Sequence, residues 1–265
     1  MHSKISSLDA SKFSGMIHSL EGKNKSLIGD NDRMYLQRIF SSGIQKYIKR
    51  LNALGFSGQG QVLDAGCGYG QWSLALSELN TFVESCDISS TRIGFLKQLM
   101  ELASIPNLSA QVSGLSPLPY SSDYFDSIFC YGVLFLTPWR QSLFELSRVL
   151  KPNGKLYLTA NGLGWYTFLW ETEHNKADDY DPKSVAARCL CDTLEYDRYQ
   201  IFEPGSNILI EPDSITLELK KLGFSSVDIA PEGTLHLDNS FPPPIPFFNG
   251  RYAGQLAAYE LIATK

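Results

Sequence analysis

Between residues 33 and 54, apolar positions recur every three or four residues: Leu36, Ile39, Phe40, Ile44, Tyr47, Ile48 and Leu51. This spacing predicts one amphipathic helix with Gly55 as its stop. Residues 1–30 are rich in Ser, Lys, Gly and Asn and read as a loose or partly helical arm. Beyond Gly55 the pattern changes to short apolar runs that alternate with helical stretches. QVLDAG, TFVESCDI, NLSAQVS, DYFDSIFCYG and KLYLTAN read as five strands. QWSLALSEL, SSTRIGFLKQLMELAS (Ser89 as N-cap) and the stretch from Thr137-Pro138 to Leu150 read as helices, Thr137 capping the last. KPNG reads as a turn. After Asn161 the rhythm breaks for about fifty residues. A helix over residues 212–223, a sixth strand (SSVDIA) and a terminal strand (AAYELIATK) follow, the last two separated by a proline-rich connection. Strand–helix alternation of this kind builds a doubly wound, mostly parallel α/β sheet covered on both faces.

Composition narrows the reading. With 265 residues, 43% hydrophobic and 19% charged, the chain can bury a core without staples. Its 23 basic and 28 acidic residues give a formal charge of −5, which disfavours a duplex nucleic-acid substrate. The first residues carry no apolar core of signal-peptide length, and no run approaches the roughly 18 apolar residues of a membrane span. Five cysteines (Cys67, Cys86, Cys130, Cys189 and Cys191) point to reduced thiols in a cytoplasmic compartment.

Chemistry concentrates in VLDAGCGYG, residues 62–70, where a strand runs into Gly66, Gly68 and Gly70. Bare backbone there lets a ligand approach closely. The third glycine comes one residue early for the dinucleotide fingerprint, and the phosphate-cradling G-x-x-x-x-G-K-[ST] is absent. Asp64 precedes the loop and suits a cationic amine better than a pyrophosphate. Asp87 ends the second strand, where a carboxylate can accept from two ribose hydroxyls. An adenosine-type ligand with an amino-acid end fits this set.

These segments, with SCDIS, LPYSSDYFDSIFCYGVLF and ELSRVLKPNGKLYLTAN, resemble the class I S-adenosylmethionine-dependent methyltransferases over residues 60–160, and more loosely over 212–265. The resemblance implies a seven-stranded sheet with an antiparallel last strand and a helical cap inserted after strand five. It divides the chain into an N-terminal arm and lid helix (1–55) and a methyltransferase domain (56–265) with its cap at about 161–211. It implies S-adenosyl-L-methionine as cofactor. Asp64, Gly66, Cys67 and Gly68 would lie at the methionyl end, with Cys130 approaching through its carbonyl. Asp87 would hold the ribose and Ile88 would pack on adenine. Many members carry Gly-Asp after strand three; this chain has Ser113-Gly114-Leu115. Adenine recognition then rests on backbone groups at Gly114, on Ser113 or Ser116, or on packing by Leu115.

The insertion NGLGWYTFLWETEHN is read as the substrate wall, with Trp165, Tyr166 and Trp170 shaping an apolar slot or facing a cation. His174 is the first candidate base, with Tyr131, Glu171 and Glu173 as alternatives. Cys189-x-Cys191 lacks the partners of a zinc site, so no metal is expected. The place after strand four reads Cys-Tyr-Gly-Val, without the Pro-Pro-aromatic motif of the amino-DNA enzymes. The expected reaction is methyl transfer to oxygen or nitrogen of a small molecule, with no DNA partner and a homodimer left open. A cofactor-binding scaffold without turnover and a dinucleotide-dependent oxidoreductase are the alternatives.

Overall fold

The computed structural model describes residues 10–265, with the side chains of residues 10 and 11 left aside. Five strands follow the expected rhythm: β1 (Gln61–Ala65), β2 (Phe82–Asp87), β3 (Leu108–Val112), β4 (Phe125–Cys130) and β5 (Leu150–Asn161). They are joined by helices that include α4 (Gln71–Leu79), α5 (Ser90–Ala103) and α6 (Trp139–Val149). The chain then forms α7 (Leu163–Thr172), α8 (Pro182–Tyr199), α9 (Pro212–Lys221) and β6 (Ser226–Pro231). A two-residue ribbon, β7 (Arg251–Tyr252) with β8 (Gln255–Leu256), precedes β9 (Ala258–Thr264). The seven long strands stand in the order β3-β2-β1-β4-β5-β9-β6. β9 runs antiparallel to both β5 and β6, and the other pairings are parallel.

Alternate strand residues supply the two faces, as a two-residue side-chain period requires. Val62, Phe129, Tyr157 and Ile262 pack on one side with α4 and α5. Leu63, Ile128, Leu156 and Leu261 pack on the other with α6 and α9. Strands buried on both faces read as continuous apolar runs, which made them visible in the sequence.

The N-terminal fifth departs from expectation. What read as a loose or partly helical arm contains helix α1 (Ala10–Lys23), and it is packed more firmly than an arm: Phe13, Ile17 and Leu20, at helical spacing, are buried in the main core. The part of that reading on residues 1–9 lies outside the described residues. The expected single helix over 33–54 is two, α2 (Asp30–Phe40) and α3 (Gln45–Ala53). Gly43 stands between them at φ +65°, a left-handed conformation that ends the first helix and redirects the chain. Thr137 does not cap α6. Its hydroxyl donates to the Leu134 carbonyl, and Pro138 occupies the cap position. KPNG is a kink within β5 instead of a turn before it: pairing with β4 jumps from Phe125–Leu150 to Ser127–Lys155, and Asn153 is left-handed.

Candidate functional site

The strand order reverses between β1 and β4, and crevices at such switch points hold ligands in open α/β sheets. A chamber of about 320 Å³ opens there. Its floor comes from the segments leaving four successive strands: Gly66–Gly68 after β1, Asp87 and Ile88 after β2, Ser113–Leu115 after β3, and Tyr131–Val133 after β4. Tyr35 from α2 and Arg92 from α5 stand above them.

The glycine loop is fastened to the end of β2. The N–H groups of Gly66 and Cys67 both donate to the Cys86 carbonyl, at 2.8 and 2.9 Å. The Gly68 N–H donates to Asp87 Oδ2 at 2.9 Å, and the Ser89 N–H to Asp87 Oδ1 at 2.9 Å. Asp87 is thus held rigidly, with carboxylate lone pairs still available to hydroxyl donors. The same bonds occupy the N–H groups of Gly66, Cys67 and Gly68, which a phosphate-binding loop would turn toward its ligand. The loop therefore favours a ligand with hydroxyls over one with a pyrophosphate. Beside it Ile88 is 81% exposed and lines the chamber, a bare apolar surface suited to a planar ring. Two further chamber residues, Gln71 and Ser142, carry buried oxygens with no hydrogen-bond partner among the described residues. Such atoms normally find partners, and here the open chamber is where one can come from.

Asp64 sits behind this surface. It is 1% exposed and accepts from Ser73 Oγ at 2.6 Å. Burial, with added repulsion from Asp87, lifts its pKa to about 7 against the Ser73 hydrogen bond. Cys67 lines the chamber, but burial and the Asp64 and Asp87 carboxylates push its thiol up, so it is a poor nucleophile. Cys130 is wholly buried in β4, one residue before the chamber wall begins.

A second chamber, of about 260 Å³, adjoins the first and shares Tyr35, Gln71 and Tyr131 with it. The rings of Tyr47, Trp72, Phe247 and Phe248 form much of its wall, and Arg38 and Lys46 line it as well. Behind the shared Tyr131 lies a buried charge network. The Tyr131 hydroxyl donates to Glu232 Oε1 at 2.6 Å. Arg50, 2% exposed, forms ion pairs with Glu232 and with Glu260, donates to Glu260 Oε2 at 2.7 Å and to the Tyr157 oxygen at 3.1 Å. The second oxygen of Glu232 accepts from the Phe247 and Phe248 N–H groups. Burial opposes the Arg50 charge, but the surrounding tyrosines and carboxylates outweigh it and keep the guanidinium firmly protonated. Burial and Glu232 push the Tyr131 phenol well above its ordinary range, so it stands as a neutral hydroxyl.

The candidate residues therefore separate into three groups. Asp64 and Cys130 are buried and line neither chamber. Gly66, Cys67, Gly68, Asp87, Ile88, Gly114, Leu115 and Tyr131 all line the first chamber. His174, Glu171, Trp165, Tyr166 and Trp170 line neither chamber. His174 lies against Trp165 and Phe168, Glu171 accepts from the exposed Tyr252 hydroxyl, and Tyr166 is buried with α8. Trp170 is half exposed. The insertion reaches the first chamber through Phe202, and braces the second by Trp165 standing edge-on to Phe248. Sequence reasoning missed Tyr35, Gln71, Arg92 and the Arg50 network. Gln71 is the first residue of the helix after the glycine loop and was findable by position; the others depend on contacts between distant segments. Among the described residues no helix is long and apolar enough to cross a membrane, and no cluster of three His, Cys, Asp or Glu side chains could hold a metal.

Comparison with known proteins agrees with this geometry. Residues 62–154 match a methyltransferase-domain family. The ubiquinone/menaquinone biosynthesis C-methyltransferase UbiE of Blochmanniella pennsylvanica is 30% identical over 178 residues, covering 63% of this chain and 66% of that protein. The uncharacterized methyltransferase YodH of Bacillus subtilis is 37% identical over 97 residues, 36% of this chain and 40% of that protein. The chain spans 66%, 56% and 42% of the length of three curated relatives it matches. An S-adenosylmethionine-dependent methyltransferase structure from Thermotoga maritima superposes with a TM-score of 0.54 at 13% identity, covering 94% of this chain and 99% of that one. Another from Methanosarcina mazei gives 0.52 at 18% identity, covering 80% and 95%. At these identities the structural likeness speaks for the fold. Taken with the sheet order, the fastened glycine loop and Asp87, these matches support a class I S-adenosylmethionine-dependent methyltransferase domain, matched directly over residues 62–154.

Proposed function

We propose that this protein transfers a methyl group from S-adenosyl-L-methionine to a small-molecule acceptor held in the second chamber. The observation that carries the reading is the pairing of two adjoining chambers through Tyr35, Gln71 and Tyr131, the first floored by the glycine loop and Asp87. Asp87 would accept from the ribose hydroxyls, Ile88 and Leu115 would flank the adenine, and the Gln71 oxygen would meet the ammonium. The bound cofactor would supply a methyl on a sulfonium, the C–S electron pair staying on sulfur as an acceptor lone pair or carbanion takes the carbon. Because the methyl is already activated, this chain's task is to position the acceptor and exclude water. The aromatic wall of the second chamber would do both, with the Tyr131 ring, held from behind by its hydroxyl's bond to Glu232, positioning the acceptor at the shared edge.

Oxygen and nitrogen are the acceptor atoms expected from sequence. The named curated relative UbiE is a C-methyltransferase, so carbon belongs in the same test. Among the described residues, neither chamber has a histidine on its wall. The reading therefore favours an acceptor that arrives already nucleophilic over one that must lose a proton to a histidine base.

Calorimetry with S-adenosylhomocysteine and with NAD tests the cofactor: the first is expected to bind and the second not. Incubation with methyl-labelled S-adenosylmethionine and fractionated small-molecule extract is expected to yield a labelled product. Tight cofactor binding with no label transferred to any fraction would favour a scaffold.

A further inference from the structure

We propose that the second chamber is built for a compact, planar, apolar acid, its ring between aromatic walls and its anionic oxygen at Arg38 and Lys46. This rests on the methyl-transfer reading, whose acceptor chamber it specifies.

The walls decide the body of the ligand. Trp72 packs 4.7 Å from Tyr47 and 5.0 Å from Tyr131, centroid to centroid, and Phe247 lies within about 6.5 Å of all three. These rings are fixed from behind. Tyr47 donates to the Ile39 carbonyl at 2.7 Å, Tyr131 to Glu232, and Phe247 is held by its backbone on the same carboxylate. A rigid aromatic slot of about 260 Å³, near the small end of ligand pockets, suits one or two fused rings better than a flexible chain.

The charges decide its polarity. The charged residues lining this chamber, Arg38 and Lys46, are both cationic. Among the described residues neither has a carboxylate partner within ion-pair distance, although the chain carries a net charge of −5. Instead each rests on a wall ring: the Arg38 guanidinium 5.4 Å from the Tyr35 centroid, the Lys46 ammonium 5.0 Å from that of Tyr47. Lys46 is half-buried, and burial together with the Arg38 charge holds its pKa below the ordinary range. The two cations repel each other, and an anion between them relieves that repulsion. Surface lysines and arginines are often unpaired. These two differ in converging on one concave aromatic site. A cationic acceptor would meet like charge there, and a neutral one would leave the pair uncompensated.

The test uses three probes of one shape: 2-naphthoate, 2-naphthamide and 2-naphthylmethylammonium, each titrated calorimetrically into the full chain with S-adenosylhomocysteine present. One charge-assisted contact more is worth roughly a tenfold or greater gain in affinity. Naphthoate is therefore expected to bind at least about tenfold tighter than the amide, and the ammonium weakest. In the double variant R38Q/K46Q the preference is expected to fall to within about twofold, while S-adenosylhomocysteine affinity and melting temperature stay as in the parent. Equal binding of amide and acid, preference for the ammonium, survival of the acid preference in the double variant, or binding of none of the three at millimolar concentration overturns the proposal. The wild-type comparison stands even if the double variant fails to fold. Failure of S-adenosylhomocysteine to bind would instead strike the methyl-transfer reading, and naphthoate titrated alone would then still report on this chamber.

Discussion

Asp87 shows how a single side chain can build a site and serve it. Its two oxygens fasten the Gly68 and Ser89 N–H groups, which sets the loop that floors the first chamber. Removing the carboxylate strands both donors and takes away the acceptor for the ribose. Asp87→Ala is expected to weaken S-adenosylhomocysteine binding by about 1–3 kcal/mol, roughly 5- to 150-fold in calorimetric Kd. Unchanged affinity would remove Asp87 from the ribose role. Asp64 differs because it is sealed away. Its pKa rises from 3.8 to about 7 in the folded chain, burial being the main cause. Between about pH 4 and pH 7 the folded chain keeps a proton there that the unfolded chain has released. Stability conferred by this group is therefore lost as pH rises through that window and stays lost above it. Asp64→Asn stays neutral and can still accept from Ser73. In urea titrations of cofactor-free protein, the variant's midpoint is expected to gain on the wild type as pH rises from 4 to 7. Parallel curves would show that Asp64 ionises without cost. Both aspartates were visible in the sequence because strand ends and glycine loops are local features. Their different burial was not, since it depends on α4 and β4 closing over one of them.

At the level of elements, Arg50 joins parts of the chain that sequence treats as unrelated. It sits on α3, Glu232 follows β6, and Glu260 lies on β9, so one guanidinium ties the N-terminal helices to the far side of the sheet. The remaining oxygens are satisfied by Tyr131 and by the N–H groups of Thr234, Leu235, Phe247 and Phe248. Breaking such a buried pair leaves an uncompensated charge. Arg50→Met is expected to cost about 3–5 kcal/mol, read as a fall in denaturant midpoint. Glu232→Gln keeps a hydrogen-bonding group of the same shape and leaves Glu260 paired, so it is expected to cost less. The reverse order would mean that the connection to Phe247 and Phe248, and not the ion pair, is the stabilising part. This network was not legible from spacing. Arg50 reads as a polar position on an amphipathic helix, and its partners lie 182 and 210 positions away. The helix break was partly legible: Gly43 stood inside the apolar pattern, but the Leu36–Leu51 periodicity concealed it. The insertion misled for a similar reason. Its aromatics are prominent in sequence, yet α7 turns Tyr166 onto α8 and leaves Trp170 half exposed.

Across the whole molecule, three segments lie outside the common α/β frame: the N-terminal helices, the insertion after β5 and the connection between β6 and β9. The sequence made the insertion the expected substrate wall. The N-terminal helices and the connection close the second chamber over Gln71, Trp72 and Tyr131 of the frame, through Tyr35, Arg38, Lys46 and Tyr47 on one side and Phe247 and Phe248 on the other. The insertion buttresses them. Helix α2 also reaches the first chamber, through Tyr35 and through the Asp32–Arg92 ion pair at 3.0 Å, so it roofs both. Occupying the first chamber should therefore stabilise that roof as well as the glycine loop beneath it. A ligand that binds only the closed arrangement lowers the population of local openings in every element it holds. Hydrogen exchange with saturating S-adenosylhomocysteine is expected to slow at residues 30–53 and 232–248 in addition to residues 66–116. The central amides of β4 and β5, which open only with the whole fold, should slow by no more than the global stabilisation. Protection confined to residues 66–116 would mean that the roof moves independently of the cofactor. Protection that reaches residues 232–248 only when Arg50 is intact would assign the coupling between the two chambers to that one buried guanidinium.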